Sequence, residues 1–113
     1  MGYENLVVWQ KSMELVVEIY QITNKFPKSE LYGLTSQMRR AAVSIPSNIA
    51  EGSRRGGKNE VKRFFLISFG SGAELETQVK IAKRLEFIKE SDCVKIDNLL
   101  EEVMKMLNKI VNS

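Results

Sequence analysis

Apolar residues recur every three or four positions in four stretches of the chain, and this spacing predicts four α-helices. The stretches begin and end at about residues 5–25, 31–52 and 59–88, and the last begins near residue 91. Phe26-Pro27 ends the first stretch because proline cannot continue a helical hydrogen-bond ladder. The glycine-bearing segment 51–60 separates the second stretch from the third. The predicted fold class is therefore all-α.

The apolar positions of each predicted helix follow one side, which indicates the surface that the helix buries. For the first helix we predict burial of Trp9, Met13, Val16, Ile19, Tyr20 and Thr23. For the second helix the predicted positions are Leu34, Met38, Ala41, Ile45 and Ile49. For the third helix they are Val61, Phe64, Phe65, Ser68, Gly72, Leu75, Val79 and Ala82.

Pro46 lies inside the second predicted helix. An internal proline removes one backbone hydrogen bond and clashes with the carbonyl four residues earlier, so we expect a kink near Pro46. Four helices joined by short connections favour antiparallel neighbours, and each one-sided apolar stripe needs partner helices to cover it. The sequence therefore predicts an up-down-up-down four-helix bundle that forms a single domain over residues 1–113.

The composition is that of a folded domain and excludes several kinds of chemistry. Hydrophobic residues make up 43% and charged residues 27% of the 113 residues, close to the averages for globular proteins. The chain has no histidine and a single cysteine, Cys93, which excludes imidazole catalysis, a disulfide within the chain and cysteine-based metal cages. We therefore expect no cofactor, no bound metal, no small-molecule substrate and no enzymatic activity.

Charged or amide side chains interrupt every hydrophobic stretch, so no run approaches the roughly 20 apolar residues that span a bilayer. The N-terminal sequence MGYENLVVWQ also lacks the basic start and apolar core of a signal peptide. We therefore expect a cytoplasmic protein without membrane contact.

The second predicted helix carries a row of polar side chains beside its apolar stripe. The row consists of Gln37, Arg40, Ser44, Ser47, Asn48 and Glu51. A row of this kind is usually solvated, but serine and asparagine are poor helix formers, so their use in mid-helix favours specific partners. We interpret Glu51 and Glu74 as partners of Arg39, Arg40 or Arg55 rather than as a catalytic acid and base.

Basic residues concentrate around the connection between the second and third helices. Within residues 53–63 the only acidic residue is Glu60, and the basic residues are Arg54, Arg55, Lys58, Lys62 and Arg63. A dense positive cluster can bind phosphate backbones through counterion release. The alternative is an ordinary solvated exterior, since the net charge of +3 is small and no base-reading motif is visible.

The run SFGSGAELE at residues 68–76 places small residues in the interior of the third helix, where each glycine costs roughly 0.5–1 kcal/mol. This cost indicates a close backbone approach, either between helices of one chain or between subunits. Phe65, Leu66 and Phe69 spread wider than one buried stripe, and monomers rarely expose such surface. We therefore predict a homo-oligomer with Phe65 and Phe69 at its interface.

Several motifs give the chain a family resemblance. They are WQK at residues 9–11, FP at 26–27, ELYGLTSQMRRAAVSIPSNIAEGSRR at 30–55 and FGSGAELE at 69–76. With these motifs the chain resembles the bacterial four-helix-bundle proteins encoded within intervening sequences of 23S ribosomal RNA genes. Structural residues of the family pattern are matched by Arg39, Arg40, Asn48, Glu51, Gly52 and Glu74, and its basic end by Arg54 and Arg55.

The resemblance implies a bundle that assembles into a homopentameric ring, without enzymatic activity. It also implies similarity to the accessory variability proteins of diversity-generating retroelements, which are basic pentamers associated with reverse transcriptase and nucleic acid. The leading hypothesis is thus a non-enzymatic oligomer that binds RNA or a ribonucleoprotein through its basic surface. The alternative is a protein-protein scaffold that does not bind nucleic acid.

Overall fold

A computed structural model describes residues 2–113 of the chain. It contains four α-helices, α1 (Val7–Thr23), α2 (Leu34–Arg55), α3 (Lys58–Arg84) and α4 (Val94–Val111). Short 3-10 turns at Tyr3–Asn5, Lys28–Glu30 and Glu90–Cys93 precede α1, α2 and α4. No strand occurs within residues 2–113, so the predicted all-α class is confirmed.

Each helix packs against two others, and the four contacts close a bundle. The packed pairs are α1 with α2, α2 with α3, α3 with α4 and α4 with α1. The molecule measures 43 × 24 × 22 Å, and its long dimension matches the roughly 40 Å of the 27-residue helix α3. Pro46 lies within α2. The kink at this residue and the up-down order of the helices remain predictions from the sequence.

The core follows the predicted stripe of α2 but not that of α1. Met38, Ala41, Ile45 and Ile49 are all buried, as predicted. In α1 the core side instead consists of Val8, Ser12, Leu15, Ile19, Ile22 and Thr23. Burial of Ile19 and Thr23 is confirmed, whereas Met13 and Tyr20 are 41% and 42% exposed.

The error in α1 has a physical cause. Apolar residues cover more than half of the circumference of this helix, so periodicity alone leaves two neighbouring stripes eligible for burial. The packing of α2 and α4 selects the stripe that contains Leu15, while Trp9 and Val16 lie partly buried at its edge. The predicted burial of Met13 and Tyr20 is therefore wrong.

A two-residue connection joins α2 to α3. Gly56 has a left-handed backbone (φ 78°) and donates its N–H to the carbonyl of Gly52, which ends α2. Gly57 is extended (φ −77°, ψ 143°) and precedes the first turn of α3. Gly52 lies so close to α3 that an added Cβ would be 2.8 Å from Cβ of Phe64. Only glycine allows this approach, which sets the position of α3 against the end of α2.

None of the helices within residues 2–113 combines the length and the hydropathy that a membrane span requires.

Candidate nucleic-acid interface

The connection between α2 and α3 gathers the predicted basic residues at one end of the bundle. Arg54 and Arg55 lie in the last turn of α2, and the first two turns of α3 follow after only two residues. We call this cluster the basic tip and define it by five residues, Arg54, Arg55, Lys58, Lys62 and Arg63. All five are exposed. Because the turn is only two residues long, the basic residues on its two sides lie close together at one end of the bundle.

Carboxylates neutralise only part of the basic tip. Arg55 lies 3.2 Å from Glu51 and 3.9 Å from Glu60, and Arg63 lies 3.5 Å from Glu60. These ion pairs are all exposed, and exposed pairs contribute at most about 1 kcal/mol, so their arginines can exchange a carboxylate for a phosphate.

The other three basic side chains of the tip, those of Arg54, Lys58 and Lys62, form no ion pair with any residue in 2–113. The tip therefore presents excess positive charge to solvent.

Two of the guanidinium groups cover an aromatic ring. Arg55 and Arg63 place their Cζ atoms 5.2 Å and 5.1 Å from the ring centroid of Phe64, within cation-π range. Phe64 itself is buried, so it offers no free face on which a nucleic-acid base could stack. Arg54 points to another side of the tip and lies 5.6 Å from the ring centroid of Tyr3. The tip is thus suited to contact phosphates rather than to read bases.

The sequence predicts partners for the polar residues of a structural network, and the structure distributes these residues over separate contacts; they are Arg39, Arg40, Asn48, Glu51 and Glu74. Arg39 joins α2 to the end of α1, because its Nε donates to Thr23 Oγ1 (2.9 Å) and its Nη2 to Asn24 Oδ1 (3.0 Å). Glu51 pairs with Arg55 in the basic tip, and Glu74 accepts a hydrogen bond from Gln78 Nε2 (3.3 Å).

The remaining two members of the predicted network lie near the middle of α2. Asn48 donates to the carbonyl and the hydroxyl of Ser44 (2.8 and 3.0 Å), and Ser44 hydrogen-bonds Ser71 of α3 at 2.8 Å. Arg40 is exposed and has no hydrogen bond or ion pair within residues 2–113. The five side chains therefore do not form one connected network inside the chain.

The two predicted interface residues lie in different environments. Phe65 is 3% exposed and belongs to the core, because the close approach of α2 and α3 at Gly52 covers its ring. Its burial agrees with the predicted stripe of the third helix, and its place at an oligomer interface remains a prediction from the sequence. Phe69 is partly buried and lines the groove between α3 and α4 beside Leu100 and Met104.

Leu66, which the sequence also placed outside one buried stripe, is 56% exposed. Large apolar residues that the sequence analysis did not single out are exposed as well. They are Val17 on α1, Leu31 and Tyr32 before α2, Val43 on α2, and Ile67 and Ile81 on α3. The signal was present in the sequence as apolar residues outside the predicted stripes.

A second charged cluster, also not predicted, ties the end of α3 to the start of α4. Lys83 Nζ lies 2.8 Å from Asp97 and 3.1 Å from Glu90, and its side chain is only 19% exposed. The hydrogen bond to Asp97 raises the pKa of Lys83 above its ordinary value, with a smaller contribution from Glu90. Cys93 lies next to this cluster, and burial raises the pKa of its thiol. A protonated, buried thiol and a paired ammonium are structural groups rather than nucleophiles.

No group of three or more histidine, cysteine, aspartate or glutamate residues within 2–113 has the arrangement of a metal site.

The chain is similar to known proteins in sequence and in fold. The model of a family described as 23S rRNA-intervening sequence protein matches residues 4–109 of the chain. The chain is also similar to the crystal structure of a protein of unknown function from the S23 ribosomal protein family of Bacteroides thetaiotaomicron. The TM-score is 0.84 and the identity 24%, and the match covers 95% of this chain and 100% of that one. This likeness shows the fold. No curated protein matches the chain.

Proposed function

The chain belongs to the 23S rRNA-intervening sequence protein family, and from this premise we propose that it is a non-enzymatic, cytoplasmic homo-oligomer that binds RNA through its basic tip. The pentameric number rests on the family resemblance. The lack of histidine anywhere in the chain supports a binding rather than a catalytic role.

The observation that carries the proposal is the uncompensated charge of the tip. Arg54, Lys58 and Lys62 have no carboxylate partner within residues 2–113, and the pairs of Arg55 and Arg63 are exposed. Phosphates of a nucleic-acid backbone supply the missing negative charge, and binding releases the counterions that surround them. Since Phe64 is already covered by two arginines, the contacts are to the backbone, and little sequence preference is expected.

Cyclic symmetry strengthens such an interface. In a cyclic oligomer all chains point in the same direction along the axis, so every copy presents its basic tip at the same rim. Several tips that contact one RNA then bind with the avidity of linked sites, and the excess charge at the rim is multiplied by the number of subunits. A net charge of only +3 per chain is in this way compatible with strong local attraction.

The test is filter binding of a labelled single-stranded RNA and of an RNA duplex, at salt concentrations between about 50 and 200 mM. The variant is Arg54→Glu combined with Lys58→Glu, because neither residue forms an ion pair with a carboxylate in the part of the chain that the structure describes. The matched control is Lys25→Glu with Lys28→Glu, which changes the net charge equally. Both control residues are exposed, near the start of α2 and far from its basic end.

For the parent we expect log affinity to fall with log salt by roughly 0.7 per phosphate contacted on single-stranded RNA. The tip variant should bind about tenfold or more weakly at the lower salt and show a smaller slope, whereas the control should follow the parent. Equal binding by all three proteins would show that the tip is not the site. No binding by the parent at low salt would refute the RNA function and favour the protein scaffold.

A further inference from the structure

The sides of the bundle differ in the polarity of the residues that they expose to solvent. After the exposed Val94 at its start, the outward positions of α4 are polar or charged, as expected of a solvated helix; they include Lys95, Asn98, Glu102, Lys105 and Lys109. On α3, in contrast, one stripe of exposed positions carries no charge over about four turns, although the exposed Glu74 and Lys80 lie beside it; the stripe consists of Leu66, Gly70, Ala73, Thr77 and Ile81. Leu66 and Ile81 are 56% and 42% exposed. We call these five positions the α3 face.

A second apolar surface runs along the groove between α1 and α2. Val43 lines this groove together with Met13 at one end and with Tyr20, Leu31 and Tyr32 at the other, so the surface is continuous. Together with Val17, one turn from Met13 and from Tyr20, these six residues form the α1–α2 face. All six are exposed, and Tyr32 reaches 94%. Their exposed area is on the order of 600 Å², at the upper limit of the largest patch of a typical monomer.

The two faces have complementary relief. Gly70 lies in the middle of the α3 face, and an added Cβ there would have no atom within 4 Å, so the surface between Leu66 and Ile81 is shallow and open. On the α1–α2 face the side chain of Tyr32 projects, being 94% exposed, whereas Tyr20 is 42% exposed and lies under the guanidinium of Arg39. A ridge of large side chains fits a groove of small ones when helices pack.

The charges at the edges of the two faces are also complementary. Arg40 borders the α1–α2 face beside Tyr32 and Val43, and Glu74 borders the α3 face beside Ala73. Both are exposed and both border the groove between α2 and α3, yet neither forms an ion pair within residues 2–113. Each is therefore available for the opposite charge of a partner.

From these observations we infer that the α1–α2 face of one copy of the chain docks on the α3 face of the next, in a head-to-tail contact that pairs Arg40 with Glu74 of the neighbour. The inference rests on the oligomer of the proposed function and names the surfaces that build it.

A second copy of the chain is the occupant that accounts for both faces at once. A contact between the two different faces covers both faces of every subunit when the ring closes, whereas a two-fold contact of one face with its own copy leaves the other face in water. The exposed area of the α1–α2 face also suits a stable contact. Each partner of a standard interface buries about 800 Å², and the six residues of this face supply most of that area.

The experiment uses two variants that each place a carboxylate on one face. Tyr32→Glu alters the α1–α2 face and Ala73→Glu the α3 face; both residues are exposed, so neither change disturbs the core. Asn98→Glu on the solvated side of α4 is the control with the same added charge. Masses are measured by multi-angle light scattering at micromolar concentration, and circular dichroism checks that each variant is folded. Val43→Glu and Gly70→Glu provide a second variant of each face.

We expect the parent and the control to be closed oligomers and each face variant alone to be a monomer. A mixture of the two variants should give dimers and nothing larger, because one intact face of each chain can pair once and the ring cannot close. Arg40→Glu or Glu74→Arg alone should shift the assembly towards monomer, and the double variant should restore it.

The other outcomes separate the two proposals. Face variants that assemble like the parent would overturn these surfaces and leave the oligomer standing. Variants that dimerise on their own would show a two-fold contact and overturn the head-to-tail arrangement. A monomeric parent would refute the oligomer of the proposed function as well as this inference.

Discussion

At the junction of α2 and α3, two adjacent glycines have different backbone conformations. Gly56 is left-handed, whereas Gly57 is extended in a region open to any residue. A side chain in the left-handed region costs roughly 1–2 kcal/mol, and alanine in place of an unstrained glycine stabilises by about 0.4–1 kcal/mol through the unfolded chain. Neither glycine has a neighbour that would clash with an added Cβ.

We therefore predict that Gly56→Ala lowers the free energy of unfolding by about 1 kcal/mol and that Gly57→Ala leaves it unchanged or raises it slightly. Urea denaturation of both variants and the parent measures the difference. Because the two sites are adjacent and exposed, each variant is the control for the other. Equal effects would show that the backbone conformation at Gly56 does not hold the turn.

At the scale of the helices, one buried hydroxyl links the centres of α2 and α3. Ser68 is fully buried and donates a hydrogen bond to the carbonyl of Ile45 at 2.8 Å, directly before Pro46. A buried hydrogen bond of this kind contributes about 1 kcal/mol. Ser47 is also a serine in mid-helix, but it is exposed.

Replacing serine with alanine improves helix propensity by about 0.5 kcal/mol at both positions. The difference in the free energy of unfolding between Ser68→Ala and Ser47→Ala therefore reports the hydrogen bond between the helices. We predict that Ser68→Ala is the less stable of the two by about 1 kcal/mol, and thermal unfolding of both variants tests this. If the two variants melted together, the hydroxyl of Ser68 would contribute nothing to the packing of α2 on α3.

At the scale of the whole molecule, Lys83 and the neighbouring Cys93 at the α3–α4 end make the free energy of unfolding depend on pH in the alkaline range. The pKa of Lys83 in the folded chain is raised, first by its hydrogen bond to Asp97, and the pKa of Cys93 is raised by burial. The folded chain therefore holds these two protons more tightly than the unfolded chain does. Their contribution to stability is complete below the unfolded pKa values and is lost as pH rises through the folded ones.

We accordingly predict that the free energy of unfolding falls as pH rises above about 9, the range in which an unfolded cysteine and then an unfolded lysine lose their protons. Lys83→Met and Cys93→Ala should each flatten this dependence. Lys80→Met should not flatten it, because Lys80 is exposed and forms no ion pair among residues 2–113. Urea titrations between pH 7 and about 11 give the comparison. An identical pH dependence in Lys83→Met and in the parent would contradict the assignment to Lys83.

The sequence by itself determined the elements of this protein, because helix formation depends on neighbours three and four positions apart. It predicted four helices, the buried stripe of α2 and a glycine-containing break within residues 51–60, which the structure confines to Gly56 and Gly57. The basic tip was also accessible from sequence, since residues on both sides of a two-residue turn must lie close together. The motifs of α2 and α3 carried the family resemblance for the same reason: they are contiguous in the chain.

Only the tertiary structure decided which surfaces of the helices are used. It buried Leu15 rather than Met13 in α1, because the packing of partner helices determines which of two apolar sides is covered when periodicity allows both. It also joined Lys83 to Asp97 across the α3–α4 connection and left Arg40 and Glu74 without an ion pair in the described residues 2–113. These outcomes depend on distances between residues remote in sequence, and the spacing of residues along one helix carries no information about such distances.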